Sequence, residues 1–140
     1  MKILIVDDEV VSRKKAQKIL SQFGECDLAV SGKEAMETFK RSHKQEYPYD
    51  LIIMDVLLPD MDGIETLKNM REWEESELKI PFGKGVRVLV VTATGLANVI
   101  PSFYEGCQGY IVKPFTKEKL VDAINNIGFD LKELFQNKQL

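Results

Sequence analysis

Several short apolar runs in this 140-residue chain end on a polar or charged side chain. Asp7-Asp8 follows the run at 3–6, Asp55 the run at 51–54, Thr92 the run at 86–91, and Lys113-Pro114 the run at 110–112. Brought together, three carboxylates repel one another, and each has its pKa raised unless a cation compensates. A ligand set made only of oxygen suits Mg²⁺, which takes one or two carboxylates, keeps waters and leaves room for phosphate oxygens. A lysine ammonium and a threonine hydroxyl are the groups expected around a phosphoryl oxygen. The combination describes a metal-assisted phosphoryl-transfer site with a carboxylate as nucleophile. Taken singly, the residues say little: threonine is common in strands, an isolated lysine is usually on the surface, and an acidic pair can simply cap a helix. Their common placement after apolar runs is what carries the reading.

That placement needs a scaffold. Most of the runs at 3–6, 26–30, 51–54, 86–91 and 110–112 are continuous rather than alternating, as in parallel strands covered on both faces. Helical patterns lie between them. Ala16, Ile19, Leu20 and Phe23 share a face that stops at Gly24, and Ser31 through Glu34 is a capping box ahead of Ala35, Met36 and Phe39. Asp62 through Glu65 repeats the device before Leu67 and Met70, and Asn98 can cap a short helix. Thr116 caps a helix carrying Leu120, Val121, Ile124 and Ile127, which ends at Gly128. Alternating strands and helices give an α/β fold with a parallel sheet, in which ligands bind at the carboxyl ends of the strands. Long connectors are expected at 40–49 and 74–85. Both precede strands and so fall at the opposite edge.

The length fits one domain, whose usual size is about 100–150 residues. A hydrophobic content of 44% excludes a disordered chain. Nineteen basic against 22 acidic residues leave a net charge of −3, which argues against direct nucleic-acid binding through bulk charge. Cys26 and Cys107 form no metal-binding pattern, and His43, the single histidine, lies in a charged stretch where it is expected to be solvated. The first apolar run is too short for a signal-peptide core, and no uncharged run approaches the ~20 residues of a membrane span. The expected setting is cytoplasmic, with reduced thiols.

In combination the motifs resemble the receiver domain of two-component response regulators, and among these the free-standing chemotaxis-regulator type. The matching pieces are Val6-Asp7-Asp8, the stretch from Met54-Asp55 to Asp62-Gly63, Val91-Thr92-Ala93, Gly106 to Tyr110, and Lys113-Pro114-Phe115. The resemblance implies a doubly wound, flavodoxin-like fold: a five-stranded parallel sheet in the order 2-1-3-4-5, flanked by five helices. The receiver domain would span residues 1–128, and 129–140 would be a short, helix-prone extension. Asp55 would be the phosphoacceptor. Asp8, Asp55 and the backbone carbonyl of Leu57 would hold Mg²⁺, with Asp7 acting through a metal-bound water. Lys113 and Thr92 would contact the phosphoryl group, and Pro114 would follow a cis bond that aims Lys113. Thr92 and Tyr110 would form a two-state switch. The donor would be a sensor histidine kinase or histidine phosphotransfer protein, and a downstream protein would dock on the face formed by the fourth helix, fifth strand and fifth helix. Such a chain is a signalling protein rather than an enzyme with a separate substrate.

Three other readings compete. A phosphatase with an aspartate nucleophile needs a second Asp two residues after the first, where Leu57 stands. A flavin or nucleotide binder needs a phosphate-cradling loop after the first strand, where Asp7-Asp8-Glu9 would repel phosphate without metal. A phosphorylation-independent scaffold would have no need of the hallmark side chains, all of which are present. Leu57 and Thr94 occupy positions that in the resembled family help set phosphoryl lifetime. The 74–85 stretch is longer than usual there, and reads as a loose loop or as a partner surface.

Overall fold

A computed structural model describes residues 1–56, 58, 63–93 and 106–131. Five parallel strands, β1 (Lys2–Val6), β2 (Glu25–Ala29), β3 (Leu51–Asp55), β4 (Arg87–Ala93) and β5 (Gly109–Lys113), form one sheet in the order β2-β1-β3-β4-β5. The described helices are α1 (Val10–Leu20), α2 (Gly32–Lys44), α3 (Gly63–Glu77) and α4 (Lys117–Asn126). The architecture is the doubly wound one expected. The helix expected after β4, with its Asn98 cap, lies outside the described residues, as do Leu57, Asp62, Thr94 and residues 132–140.

Strand alternation divides the core in two. Ile3, Ile5, Leu51, Ile53, Leu89, Val91 and Ile111 face α1 and α4, meeting Ala16, Ile19, Leu20, Leu120 and Ile124. Leu4, Val6, Ile52, Met54, Val88 and Val90 face α2 and α3, meeting Ala35, Phe39, Leu67 and Met70. Both faces of the central strands are therefore buried, which explains the continuous apolar runs. Two caps form as read: Glu34 N–H donates to Ser31 Oγ, and Lys119 N–H donates to Thr116 Oγ1.

The two long connectors are shorter than expected. α2 continues through Lys44, because Phe39 and His43 keep packing on Trp73 of α3 and the basic last turn suits the helix dipole. His43 is accordingly half-buried among aromatic rings, not solvated, and burial lowers its pKa against an opposing pull from Glu74. α3 continues through Glu77, past the start of the connector expected at 74, because Arg71 and Glu74 are both buried. Arg71 donates to Glu74 at 2.7 Å and to the Gly106 carbonyl at 2.8 Å. Glu74 accepts the Val86 N–H at 2.8 Å, and the Gln108 amide bonds Val88 N–H and Gly83 O. This network ties the connector from 78 to 86 to α3 and to the start of β5, so the loop is pinned rather than loose.

Removing one partner of a buried pair leaves the other charge uncompensated. Arg71→Ala is expected to cost about 3–5 kcal/mol of unfolding free energy in urea titrations. Arg71→Met combined with Glu74→Gln is expected to cost clearly less than Arg71→Ala alone, because no unpaired charge remains.

Candidate functional site

Three strand ends build the site at the carboxyl edge. Asp7 directly follows β1, and its main chain is held on both sides: its N–H donates to Ala29 O of β2, and its carbonyl accepts from Arg13 of α1 at 2.9 Å. Its Oδ1 accepts the Glu9 N–H at 2.9 Å, which fixes the carboxylate at the start of α1. Asp55 is the last residue of β3 and pairs with Val91. Gly63 N–H donates to Val56 O, which sets the start of α3 against the end of β3. A Cβ on Gly63 would lie 2.2 Å from the Asp55 carbonyl, so glycine is required where α3 starts against β3. Lys113 is the last residue of β5 and pairs with Ala93.

Lys113 is the hub. Its Nζ lies 2.9 Å from Asp55 Oδ2, 3.0 Å from Asp7 Oδ2 and 3.9 Å from Glu9 Oε2. Asp7 and Asp55 are each only 6% exposed, whereas Asp8 is open to solvent. Asp7, Asp8 and Asp55 each offer a carboxylate oxygen, and these oxygens lie within 4.8 Å of one another. Burial pushes the Asp7 carboxyl up to about 6, with nearby Asp55 adding to the rise, against lowering pulls from the Glu9 N–H and Lys113. For Lys113, burial alone would lower the pKa, but its bonds to Asp55 and Asp7 outweigh it and the net shift is upward. Such a knot of hard oxygen donors, one pair buried and one carboxylate open, fits a Mg²⁺ ion that shares its coordination with waters and phosphate oxygens.

The structure therefore brings together Asp7, Asp8, Asp55 and Lys113. Thr92 is buried in β4, one residue beyond the partner of Asp55, and its hydroxyl donates to Ala93 O at 3.3 Å. The Lys113–Pro114 bond is cis. Tyr110 lies apart from the cluster, in register with Val90, and is 40% exposed. The Leu57 carbonyl falls outside the described residues. Arg13 went unnoticed in the sequence. Its only signal is a basic residue six positions after Asp7, which puts it on the turn of α1 that faces back toward β1.

A doubly wound α/β domain with an acidic, lysine-bridged pocket at its carboxyl edge is what the fold and these residues define. The sequence profile described as "Response regulator receiver domain" matches residues 3–125, and the chain belongs to that family. It is 33% identical to the chemotaxis protein CheY of Halobacterium salinarum over 89% of this chain and 94% of that protein. It is 35% identical to a transcriptional regulator, ycf29, of Porphyra purpurea over 89% of this chain, which spans only 54% of that protein. Among solved structures, a chain of the CheX-CheY-BeF3-Mg²⁺ complex from Borrelia burgdorferi superposes with a TM-score of 0.77 at 27% identity, over 93% of this chain and 90% of that one. Among the described residues, no helix is long and apolar enough to cross a membrane.

The electrostatics give a pH dependence. Asp7 ionises with a pKa of about 6 in the folded protein against an ordinary 3.8. Between those values the folded state holds a proton that the unfolded state has lost, so this contribution to stability is full at low pH and declines as pH rises through about 6. In metal-free buffer, Asp7→Asn is thus expected to be more stable than wild type at pH 7.5 by about 1–2 kcal/mol, less than the full shift because Lys113 loses an ionic partner. The gain should vanish near pH 3.5. Urea midpoints across that range, with chelator present, check both ends.

Proposed function

We propose that the chain is a single-domain response regulator in which Asp55 accepts a phosphoryl group from a histidine kinase or a histidine phosphotransfer protein. The observation that carries this reading is the Lys113 ammonium, set between the buried carboxylates of Asp55 and Asp7 at 2.9 and 3.0 Å. Asp55 acts as nucleophile: a carboxylate oxygen attacks phosphorus while the donor's bond to phosphorus breaks. Lys113 follows the charge, giving up part of its hold on Asp55 to neutralise a phosphoryl oxygen. Thr92 offers the next hydroxyl along the same edge. Asp8 and Asp55, the Leu57 carbonyl and, through water, Asp7 would hold Mg²⁺. The ion, when bound, offsets the repulsion between the carboxylates and the phosphoryl oxygens.

The output is a change of surface. Turning of the Thr92 hydroxyl toward the phosphoryl group and of Tyr110 inward from its exposed position would alter the face that includes β5, where a downstream protein docks. Phosphorylation can shift that equilibrium only by as much as it favours one state over the other. The nearly full coverage of chemotaxis proteins of similar length supports a stand-alone receiver, and the BeF3 and Mg²⁺ in the Borrelia burgdorferi complex support a phosphoryl and metal site.

Incubation with a small phosphodonor and Mg²⁺ should label the wild type with one phosphoryl group per chain, and peptide mapping should place it on Asp55. Asp55→Asn should lose the label. Labelling of that variant at the same rate would reject the assignment, and an unlabelled wild type that still binds its partner would favour the scaffold reading. A second expectation concerns lifetime. Leu57 has no hydrogen-bonding side chain with which to orient a water, so the acyl phosphate should decay slowly. Leu57→Asn should shorten the half-life severalfold in a timed release assay, and an unchanged half-life would remove Leu57 from the account.

A further inference from the structure

The acidic site has a fourth carboxylate that none of the roles above uses. Glu9 follows Asp7-Asp8 and is 60% exposed at its side chain, yet the carboxylate is held in place. Its Oε1 accepts from Ser12 Oγ at 3.1 Å, its own N–H is tied to Asp7 Oδ1 at 2.9 Å, and its Oε2 reaches to 3.9 Å from Lys113 Nζ. One turn of α1 thus leans a fixed negative charge over the mouth of the pocket, beside the very ammonium that must receive phosphoryl oxygens.

We infer that Glu9 is a selectivity residue: it screens phosphodonors by charge, disfavouring small, doubly negative donors relative to donors of lower net charge. The inference rests on the reading of Asp55 as phosphoacceptor and deepens it. An incoming phosphoryl group must compete with Glu9 for Lys113, and it must approach past a carboxylate that is 60% exposed. Like charges a few ångströms apart at a solvent-exposed mouth slow an encounter by a factor of a few per unit charge, and the penalty multiplies for a second charge. A phosphohistidine presented on a protein surface meets this barrier with contacts of its own to offset it, whereas a free metabolite-sized anion has none. Glu9 touches no reacting atom. It acts on approach and on the availability of Lys113, with no part in the bond changes at phosphorus.

Two small donors separate charge from shape. With acetyl phosphate, net charge −2, the bond from phosphorus to the bridging oxygen breaks, its electron pair leaves with acetate, and a bond to an Asp55 oxygen forms. With phosphoramidate, net charge −1 and protonated on nitrogen, the P–N bond breaks and ammonia leaves. Initial labelling rates at low ionic strength are measured for wild type and Glu9→Gln, which keeps the size and the Ser12 bond. The variant should accelerate with both donors, by about five-fold with acetyl phosphate and about two-fold with phosphoramidate, and the difference should collapse in about 1 M salt. Ser12→Ala, which releases the carboxylate, should give an intermediate donor ratio. Equal acceleration with both donors, no acceleration, or a difference that survives high salt would overturn the inference, and a Ser12→Ala ratio equal to wild type would overturn the tether. If neither donor labels Asp55 in the wild type, the phosphoacceptor reading falls with it. Normal labelling with an unchanged donor ratio removes only the role of Glu9.

Discussion

Two carboxylates in a nearly dry pocket repel each other, and one ammonium offsets that repulsion. Lys113 sits between Asp7 and Asp55, and the rest of the molecule can be understood as the apparatus that holds these three groups together. They come from β1, β3 and β5, which are 48 and 58 residues apart along the chain, so no local element could have assembled them. The sheet does so by register. β1 pairs with β3, Asp55 pairs with Val91, and Ala93 pairs with Lys113, so each strand ends at the same level. The Asp7 pKa is the measure of how far the arrangement departs from what water would allow. Even with Lys113 at 3.0 Å, burial dominates, and the carboxyl keeps its proton to about pH 6.

The two edges of the sheet are treated differently. At the carboxyl edge, charges are concentrated and left partly unbalanced, with Asp8 and Glu9 open to solvent. At the opposite edge the buried charges of Arg71 and Glu74 are paired with each other, and half-buried Gln108 joins them to the backbone of β4. Both are polar clusters against the same apolar sheet. The first has spare capacity for a cation or an anion, while the second has all its donors and acceptors committed to the fold, which is what separates a site from a clamp.

Most of the first cluster was legible in the sequence, because its members stand directly after continuous apolar runs, and runs of that kind imply parallel strands whose ends coincide. The second was not legible. Arg71 and Glu74 lie at a helical spacing that normally marks a solvated ion pair, and their burial depends on Gly106 and Gln108, over 30 residues further on. For the same reason the ends of α2 and α3 were placed too early: His43 looks polar in sequence, and only the rings of Phe39 and Trp73 make it a packing residue. Arg13 shows the same limit at the site itself. A basic side chain that bonds a backbone carbonyl leaves no compositional trace, whereas one that bonds a carboxylate leaves two charged letters to be matched.

The packing of α2 on α3 has an optical consequence. Trp73 is the only tryptophan in the chain, and it lies ten residues beyond Gly63, the end of α3 that meets Asp55. At the helical rise this is about 15 Å along the axis. The indole meets Phe39 edge-on and lies tilted against His43, so its emission is a gauge of how firmly two helices close over one face of the sheet, read out at a distance from Asp55.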